Sequence, residues 1–514
     1  APVWRREHTP PRTTTPAPAT VLVLADPGPL ADAFRERLEA AGHRALLVHP
    51  AATHRAPTPG TAGTADPADP AQLAALLEGL DAETGPLPVV HALTATGPDQ
   101  ARTATETALD RGFHSLLWLA RAAAKALPRR PLRLLIGAVG VADVLGGEEI
   151  RPTAATATGA ARSLLSEYPT ARAHITDLDA ESAPGDGAAH LLHDLHGLLT
   201  EPAEKTAPDP ASAAADPALV GAWRRGRPWS RSLEPVALPE VDDAAAWRAG
   251  GVYAITGGTG ELGLALAARL APLGVRLALI GRTPLPPEDS WDTHLASAPD
   301  GDRTARVIRE LRRLRTLGAE VITLTADITD PADTGRALSA VRERLGALHG
   351  VVHAAGVAGN GLVQTKTREQ ASAVLAPKVA GTLALAQALR AEPVELLVLY
   401  SSVAGAIGGL GESDYAAANA FLDAFAAAED GRGRVAQRVV SVAWGPWRRD
   451  RWQTAAFADN PELLALMLRS RQTHGIGDDT GTAALARAIV AGPSHLYVLG
   501  RPLAELAAET AGPA

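Results

Sequence analysis

The sequence predicts an α/β protein made of two parallel, doubly wound sheets in tandem, the first of them degenerate. Three observations carry this. Short apolar runs alternate with amphipathic stretches, the pattern of strands separated by crossover helices. The alternation restarts at Gly251, and 514 residues give room for two to four domains of roughly 150 residues each. The two runs also echo one another: LPVVHALTATG (87–97) is similar to LHGVVHAAGVAG (348–359), and LLIGAV (134–139) to VLYSSV (398–403).

In chain order, residues 1–19 are rich in Pro and Thr and read as a linker. Residues 20–235 make the first unit. TVLVLAD (20–26) and RALLVHP (44–50) are apolar runs of strand length on either side of a helix at 30–41. PLPVVHAL (86–93), PLRLLIGAV (131–139) and ARAHITDLD (171–179) follow as strands, with helices between them. EPAEKTAPDPASAAADP (201–217) has the composition of a flexible excursion, and GAWRRGRPWSRSLEPV after it reads as an edge strand leaving the unit. The second unit, 236–514, carries strands at 251–256, 275–281, 320–326, 348–353, 395–402 and 437–443. A less regular Trp/Arg-rich stretch at 446–477 precedes a helix near 480–491 and a last strand, HLYVL (495–499).

Composition narrows the function classes. Lys and Arg number 49 against 57 Asp and Glu, a net charge of −8, which gives no electrostatic reason to expect nucleic acid. Hydrophobic residues make up 46 % and mean hydropathy is near zero, as in globular and not disordered chains. The absence of cysteine excludes disulfides, thiolate metal sites and a thiol nucleophile. No run approaches the ~18 unbroken apolar residues of a membrane span, and the first residues lack a signal-peptide core. A cytoplasmic protein with no membrane partner is expected.

The chemistry concentrates in the second unit. Gly258-x-Gly260-x-x-Gly263 lies between the strand VYAIT and the amphipathic helix ELGLALAARLAPLG. There glycines allow a tight turn, close approach to a pyrophosphate and close helix packing, which points to a Rossmann-like dinucleotide site. The first unit has ADPGPL (25–30) instead. The next strand ends in LALIGRTP, with Arg282 where NAD sites usually carry an acid; a guanidinium suits a ribose 2′-phosphate, which favours NADPH. Asp327, in LTADITD, is placed either to accept from an adenine amine or to cap the following helix.

Lys378, Ser402, Tyr415 and Asn419 suit ketone reduction. A nascent alkoxide needs a proton donor, and a free tyrosine, with a pKa of about 10, exchanges poorly at neutral pH. A nearby ammonium favours the phenolate, and a serine hydroxyl can hold the carbonyl oxygen. Ser402 ends a strand, Tyr415 and Asn419 share a helix face in YAAANAFLDAF, and Lys378 sits in the preceding helix. In the first unit Ala138 and Arg151 stand where Ser402 and Tyr415 would be, so that copy keeps the scaffold without the reactive groups.

TGGTGELG, GR, ADITD, HAAGV, PKVAGTLAL, SSVAG, YAAANAFLDAFA and VAWGPW resemble the ketoreductase domain of a modular (type I) polyketide synthase, within the short-chain dehydrogenase/reductase superfamily. The likeness runs nearly end to end, because VWRRE and GAWRRGRPW resemble the structural half that precedes the catalytic half in that family. The steps of 24, 13 and 4 residues from Lys378 through Ser402 and Tyr415 to Asn419 match its catalytic set. The resemblance implies NADPH-dependent reduction of a β-ketoacyl thioester on the phosphopantetheine arm of an acyl carrier protein, beside other synthase domains, in polyketide (antibiotic) biosynthesis. Tyr415 would protonate the oxygen and Ser402 orient the carbonyl. Lys378 would hold the nicotinamide ribose and tune Tyr415, and Asn419 would support a proton relay. The implied cofactor set begins with Thr256, Gly257, Gly258, Thr259, Gly260, Leu262 and Gly263. Arg282, Asp327, Ile328, Ala354, Ala355 and Gly356 complete it, with Lys378 and Tyr415.

Neither stereochemical fingerprint of the family is present. Ala358-Gly359-Asn360 stands where one type carries Leu-Asp-Asp, and Ile407 where the other carries Trp; lack of the aspartate leans towards an L-hydroxy product. Residues 446–477 occupy the place of the substrate lid. The substrate side is read as Asn360, Ile407, Pro446, Trp447 and Met467, although Trp447, Leu464 and Met467 fit ordinary helix packing equally. LVQTKTREQASAVLAPKV is closer to synthases that use separate acyltransferases or act iteratively.

Other patterns read as bland. His193-x-x-x-Gly197-x-x-x-x-Pro202 has a dehydratase-like spacing, but in a helix also bearing His190 and His196 it reads as coincidence on a solvated face, with no metal site. His353 reads as a strand-end residue near the cofactor. Arg303, Arg306, Arg309, Arg312, Arg313 and Arg315 load one helix, as a solvated face or a dock for an acidic carrier protein. No carrier serine motif, acyltransferase Gly-x-Ser-x-Gly or ketosynthase cysteine is present, so one domain pair is expected, cut from or working beside a larger assembly. Two rivals remain. A non-reducing structural or epimerising domain is opposed by the intact Lys/Ser/Tyr/Asn set. A free-standing reductase of a small ketone would rarely need a companion half without chemistry.

Overall fold

The computed structural model describes the chain apart from residues 8–15, 59, 79, 81–84, 96–104, 129, 169, 201–218, 360, 450–460, 504 and 507–514. Its first sheet holds nine strands: β1 (Pro2–Arg6), β2 (Thr20–Ala25), β3 (Arg44–Pro50), β4 (Gly63–Ala65), β5 (Leu87–Thr94), β6 (Leu132–Val139), β7 (Arg172–Leu178), β8 (Val220–Arg224) and β9 (Arg227–Leu233). They lie in the order β1-β9-β8-β7-β6-β5-β2-β3-β4. The intervening helices are α1 (Pro29–Ala40), α2 (Pro70–Glu78), α3 (Thr105–Leu109), α4 (Ser115–Ala126), α5 (Pro152–Glu167) and α6 (Pro184–Thr200). Every residue of β2 and β5 is buried. Helices cover both faces of such strands, which is why these runs are continuously apolar and do not alternate.

The second sheet has seven strands: β10 (Val252–Thr256), β11 (Arg276–Gly281), β12 (Glu320–Thr325), β13 (Gly350–His353), β14 (Val394–Ser402), β15 (Ala436–Trp444) and β16 (His495–Val498). A short helix, α7 (Asp243–Ala246), leads in. Then come α8 (Glu261–Leu270), α9 (Trp291–Ser297), α10 (Arg303–Thr316), α11 (Pro331–Leu345), α12 (Arg368–Lys378), α13 (Ala380–Arg390), α14 (Ala404–Ile407), α15 (Ser413–Glu429), α16 (Pro461–His474) and α17 (Asp478–Ala491). All its strand pairs are parallel. The order is β12-β11-β10-β13-β14-β15-β16, and β4-β3-β2-β5-β6-β7-β8 repeats it in the first sheet. Two doubly wound sheets in tandem are therefore present, as the sequence predicts.

The edges differ from expectation. Pro2–Arg6 is not linker: it pairs antiparallel with β9, and Trp4 packs on the core. The single edge strand expected after the low-complexity tract is a hairpin, β8 to β9, turning at Arg225 and Gly226 with φ 52° and 68°. A hairpin's own pairing and the strand from the chain start satisfy backbone groups that one edge strand would leave open. Strand β4 escaped notice because three residues, GTA, carry no apolar run. The tract 201–217 lies outside the described residues. In the lid stretch, 461–474 is the regular helix α16 and 450–460 is not described.

Helices α12 and α13 form one long stretch, 368–390, with the length and hydropathy of a membrane span. Its most apolar window is 61 % buried inside the protein, against α11 and α15. That is core packing.

The two units share one hydrophobic core. Ala157, Ala160, Ala161 and Leu164 of α5 belong to the same cluster as Ala417, Ala418, Phe421 and Phe425 of α15. The two helices pack along each other, with small side chains on both. Gly159 makes the closest approach: a Cβ there would overlap the Ala416 carbonyl. Gly159→Val should force the helices apart and cost ~1–3 kcal/mol, the usual penalty of overpacking. Thermal and urea unfolding of the full chain measure it.

Candidate active site

The second sheet opens a cleft of about 900 Å³ at the C-terminal ends of its strands, the place where open α/β sheets bind ligands and a size that suits a nucleotide. Strand β10 runs into Gly257, whose φ is 68° and where a Cβ would lie 2.8 Å from the Ala354 carbonyl oxygen. Gly263 packs so tightly under the loop that a Cβ would come within 2.7 Å of Gly257 O and Gly258 Cα. Gly260 caps α8 without a side chain, and Gly260, Glu261 and Leu262 at the start of that helix line the cleft. The positive end of a helix dipole favours an anion there.

Arg282, Asp327 and Ile328 line one end of the cleft, and Ala354, Ala355 and Gly356 its middle. Asp327 does not cap α11. Asp330 does, accepting from Ala332 N and Asp333 N, while Asp327 accepts from Thr329 N (2.9 Å) and Thr329 Oγ1 (2.8 Å). Those bonds, and the charge of Arg282, hold its carboxyl below the usual range. Arg303 and Arg306 line the same end, which sequence reasoning missed. The available signal was their place at the start of the Arg-loaded helix, nearest the strand ends. That helix is largely paired: Arg306 with Glu261, Arg312 with Asp292, Arg313 with Glu310, and Arg315 with Glu288 and over the Trp291 ring.

Lys378, Ser402 and Tyr415 meet on the opposite wall, although they come from α12, β14 and α15. Lys378 is almost fully buried; its Nζ donates to Tyr400 O at 2.6 Å and lies 5.8 Å from the Tyr415 ring centroid. Burial lowers its pKa to about 8, opposed by the charge of Asp423. Ser402 Oγ accepts from Ala404 N at 3.2 Å, which leaves its hydroxyl proton available to a ligand. Asn419 is not on the cleft wall. It is fully buried, its Nδ2 donates to Tyr415 O at 2.7 Å, and its Oδ1 has no partner.

Two further expected cofactor residues sit behind the wall. Gly258 is pressed between β10 and β11, where a Cβ would lie 2.6 Å from Ile255 O and 2.9 Å from Leu279 Cα. Thr256 is fully buried, with its Oγ1 2.7 Å from His353 Nδ1. His353 Nε2 lies 3.0 Å from Pro377 O, a carbonyl that can only accept. The ring proton is therefore on Nε2, and Nδ1 accepts from Thr256. Burial and the Lys378 charge push His353 down to about 3, so it stays neutral and ties β10 and β13 to the segment carrying Lys378.

On the substrate side, Ile407 and Pro446 line the cleft. Trp447 reaches it too but is 2 % exposed, packed edge-on against Trp444 and into Gly481 of α17, so its position is set by the core. Met467 is half-buried on α16 and off the cleft wall. Asn360 lies outside the described residues. The histidines of α6 do not form a solvated face: His190 stacks on Trp223 at 4.0 Å, His193 meets its edge, and His196 Nε2 lies 3.0 Å from His43 Nε2. Among the described residues no group of three or more acids and histidines could hold a metal.

Fold and site together define a Rossmann-like scaffold with a cleft of dinucleotide size at its strand ends. Residues 251–449 match the model of the KR domain family. The chain is 40 % identical over 201 residues to 6-methylsalicylic acid synthase of Penicillium patulum, covering 38 % of this chain and 11 % of that protein. It is 31 % identical over 257 residues to the polyketide synthase PksL of Bacillus subtilis, covering 49 % of this chain and 5 % of that one. The chain thus spans a small part of these relatives. Among solved structures it is similar to an N-terminal ketoreductase from the macrolactin assembly line, with a TM-score of 0.76 at 20 % identity over 99 % of this chain and 93 % of that one. An A1-type ketoreductase gives a TM-score of 0.68 at 25 % identity, covering 97 % and 92 %.

The bond from Thr256 to His353 can be tested directly. Thr256→Val keeps the shape, removes the donor and leaves a buried ring nitrogen unpaired. It should lower stability by ~1–3 kcal/mol in urea unfolding.

Proposed function

We propose that the chain reduces a β-ketoacyl thioester, held on an acyl carrier protein during polyketide biosynthesis, to the β-hydroxyacyl thioester, with NADPH as reductant. The observation that carries this is the convergence of Lys378, Ser402 and Tyr415 on one wall of a dinucleotide-sized cleft. Bound NADPH would supply the hydride to the β-carbon. The start of α8 would hold its pyrophosphate, and Arg282 with Arg303 its 2′-phosphate.

The Tyr415 hydroxyl gives its proton to the substrate oxygen as negative charge develops there, and the Ser402 hydroxyl donates a hydrogen bond to the same oxygen. Lys378 faces a neutral carbonyl and the tyrosine ring, so its ammonium stabilises the phenolate left after transfer. Asn419 donates to the Tyr415 backbone carbonyl and so holds the helix turn that carries the tyrosine. The multidomain relatives, of which this chain matches a small part, support a carrier protein and other synthase domains as partners.

The test is oxidation of reduced nicotinamide with a β-ketoacyl N-acetylcysteamine thioester and then a carrier-bound one, with chiral analysis of the product. NADPH should be preferred to NADH, and the product should be L-configured. Tyr415→Phe should abolish turnover while NADPH still binds. Cofactor binding without wild-type turnover on either substrate would favour the structural or epimerising reading. Activity confined to small free ketones would favour the free-standing reductase.

The pH profile follows from Lys378. Its ammonium is retained below its pKa of about 8 and lost above it, so reductive kcat/KM should be level at lower pH and fall as pH rises through that value. Lys378→Arg, charged throughout, should lose this limb.

A further inference from the structure

Lys366 has no part in the chemistry above, yet its side chain is completely buried. Its Nζ donates to Asp414 Oδ2 at 2.7 Å and to Gly411 O at 3.2 Å. The other oxygen of Asp414, Oδ1, accepts from the backbone N–H of Tyr415 at 2.8 Å. Glu167, the last residue of α5 in the unit without chemistry, completes the set: its Oε2 accepts from Val363 N at 2.8 Å and its Oε1 from Gly411 N at 3.3 Å. Burial pushes both carboxyls up, against the charge of Lys366.

These bonds converge on the turn that leads into the tyrosine. Gly411 is held at its N–H by Glu167 and at its carbonyl by Lys366, four residues before Tyr415. Gly359 lies directly on the cluster, where a Cβ would come within 2.6 Å of Asp414 Oδ1 and 2.8 Å of Tyr415 Cβ. Asp414 sits in the first turn of α15, where helix amides lack intrahelical partners, and a carboxylate there fixes the start of the helix. A buried charge set is costly unless its geometry is held, and that demand for one geometry is what makes it a positioning device.

We infer that Glu167, Lys366 and Asp414 form one buried network through which the first unit sets the position of the Tyr415 hydroxyl over the cleft. They are positioning residues, and this role rests on the reductase reading of the site. A shift of the ring by an ångström is enough to cost roughly 100-fold in rate.

The experiment uses the full chain. Glu167→Gln and Lys366→Met should lower kcat by roughly 10- to 100-fold, with the Kd for NADPH changed less than about twofold. Titration of the Tyr415 phenol, read as tyrosinate absorbance relative to Tyr415→Phe, should move upwards in both, because the ring drifts from Lys378. The double variant Lys366→Met/Asp414→Asn removes both members of the ion pair. It should regain the stability that Lys366→Met loses by stranding a carboxylate, while kcat stays low. If kcat recovers along with stability, or folded single variants show wild-type kcat and an unmoved titration, the positioning role is overturned. The titration needs no turnover. An inactive wild type whose phenol still shifts in the variants therefore defeats the reductase reading and upholds the network.

Discussion

The contact between α5 and α15 is the constraint on which the site depends. Tyr415 lies in the first turn of α15, and that helix is buried along nearly its whole length. A helix buried on every side has no solvent face and needs packing partners all round. The second sheet, α12 and α14 supply part of that surround, and α5 of the first unit supplies the rest. Alanine, glycine, serine and threonine along α5 let the two backbones approach closely, with Gly159 against Ala416, next to the tyrosine. The unit without chemistry thus acts as a wall of the catalytic one, which is a physical reason for keeping a sheet that has lost its reactive groups.

The cleft is lined by both signs of charge: Arg282, Arg303, Arg306, Arg471 and Lys378 stand with Glu261, Asp327 and Glu412, and Arg306 is paired with Glu261. Lys378 is held in a nearly dry site by a neutral carbonyl, so burial is the dominant influence on its proton. His353, close by, is kept neutral by the same burial and by two hydrogen bonds that fix its tautomer. One positive charge is thereby concentrated beside Tyr415, with no second cation from the histidine to compete.

The two sheets show what divergence kept and what it discarded. Strand order is retained, and His91 occupies in β5 the place of His353 in β13. His91 is also buried and neutral, lowered to about 4, but it bonds to Ser115 and supports only packing. A smaller cleft of about 530 Å³ persists at the equivalent strand ends, walled by Leu30, Phe34 and Leu178, and Asp26 on its rim is ion-paired with Arg111. Ala138, in the position aligned with Ser402, is fully buried. The scaffold is preserved because its core is shared, while side chains at the cleft were free to change.

Much of this was legible in the sequence, for a local reason. Apolar runs of strand length, the glycine spacing after VYAIT, and the steps linking Lys378, Ser402 and Tyr415 are set within single elements, and periodicity and turn chemistry read elements well. What faces the cleft was decided elsewhere. Thr256 turned to His353, Gly258 to β11, and Asn419 back to its own helix, while Arg303 and Arg306 reached the nucleotide end. The pairing of β1 with β9 joins residues more than 200 positions apart, and Glu167 meets Val363 and Gly411 across similar distances. Composition and spacing carry no trace of such contacts, because a side chain's direction is chosen by the partner it is packed against, and here that partner belongs to another element or to the other sheet.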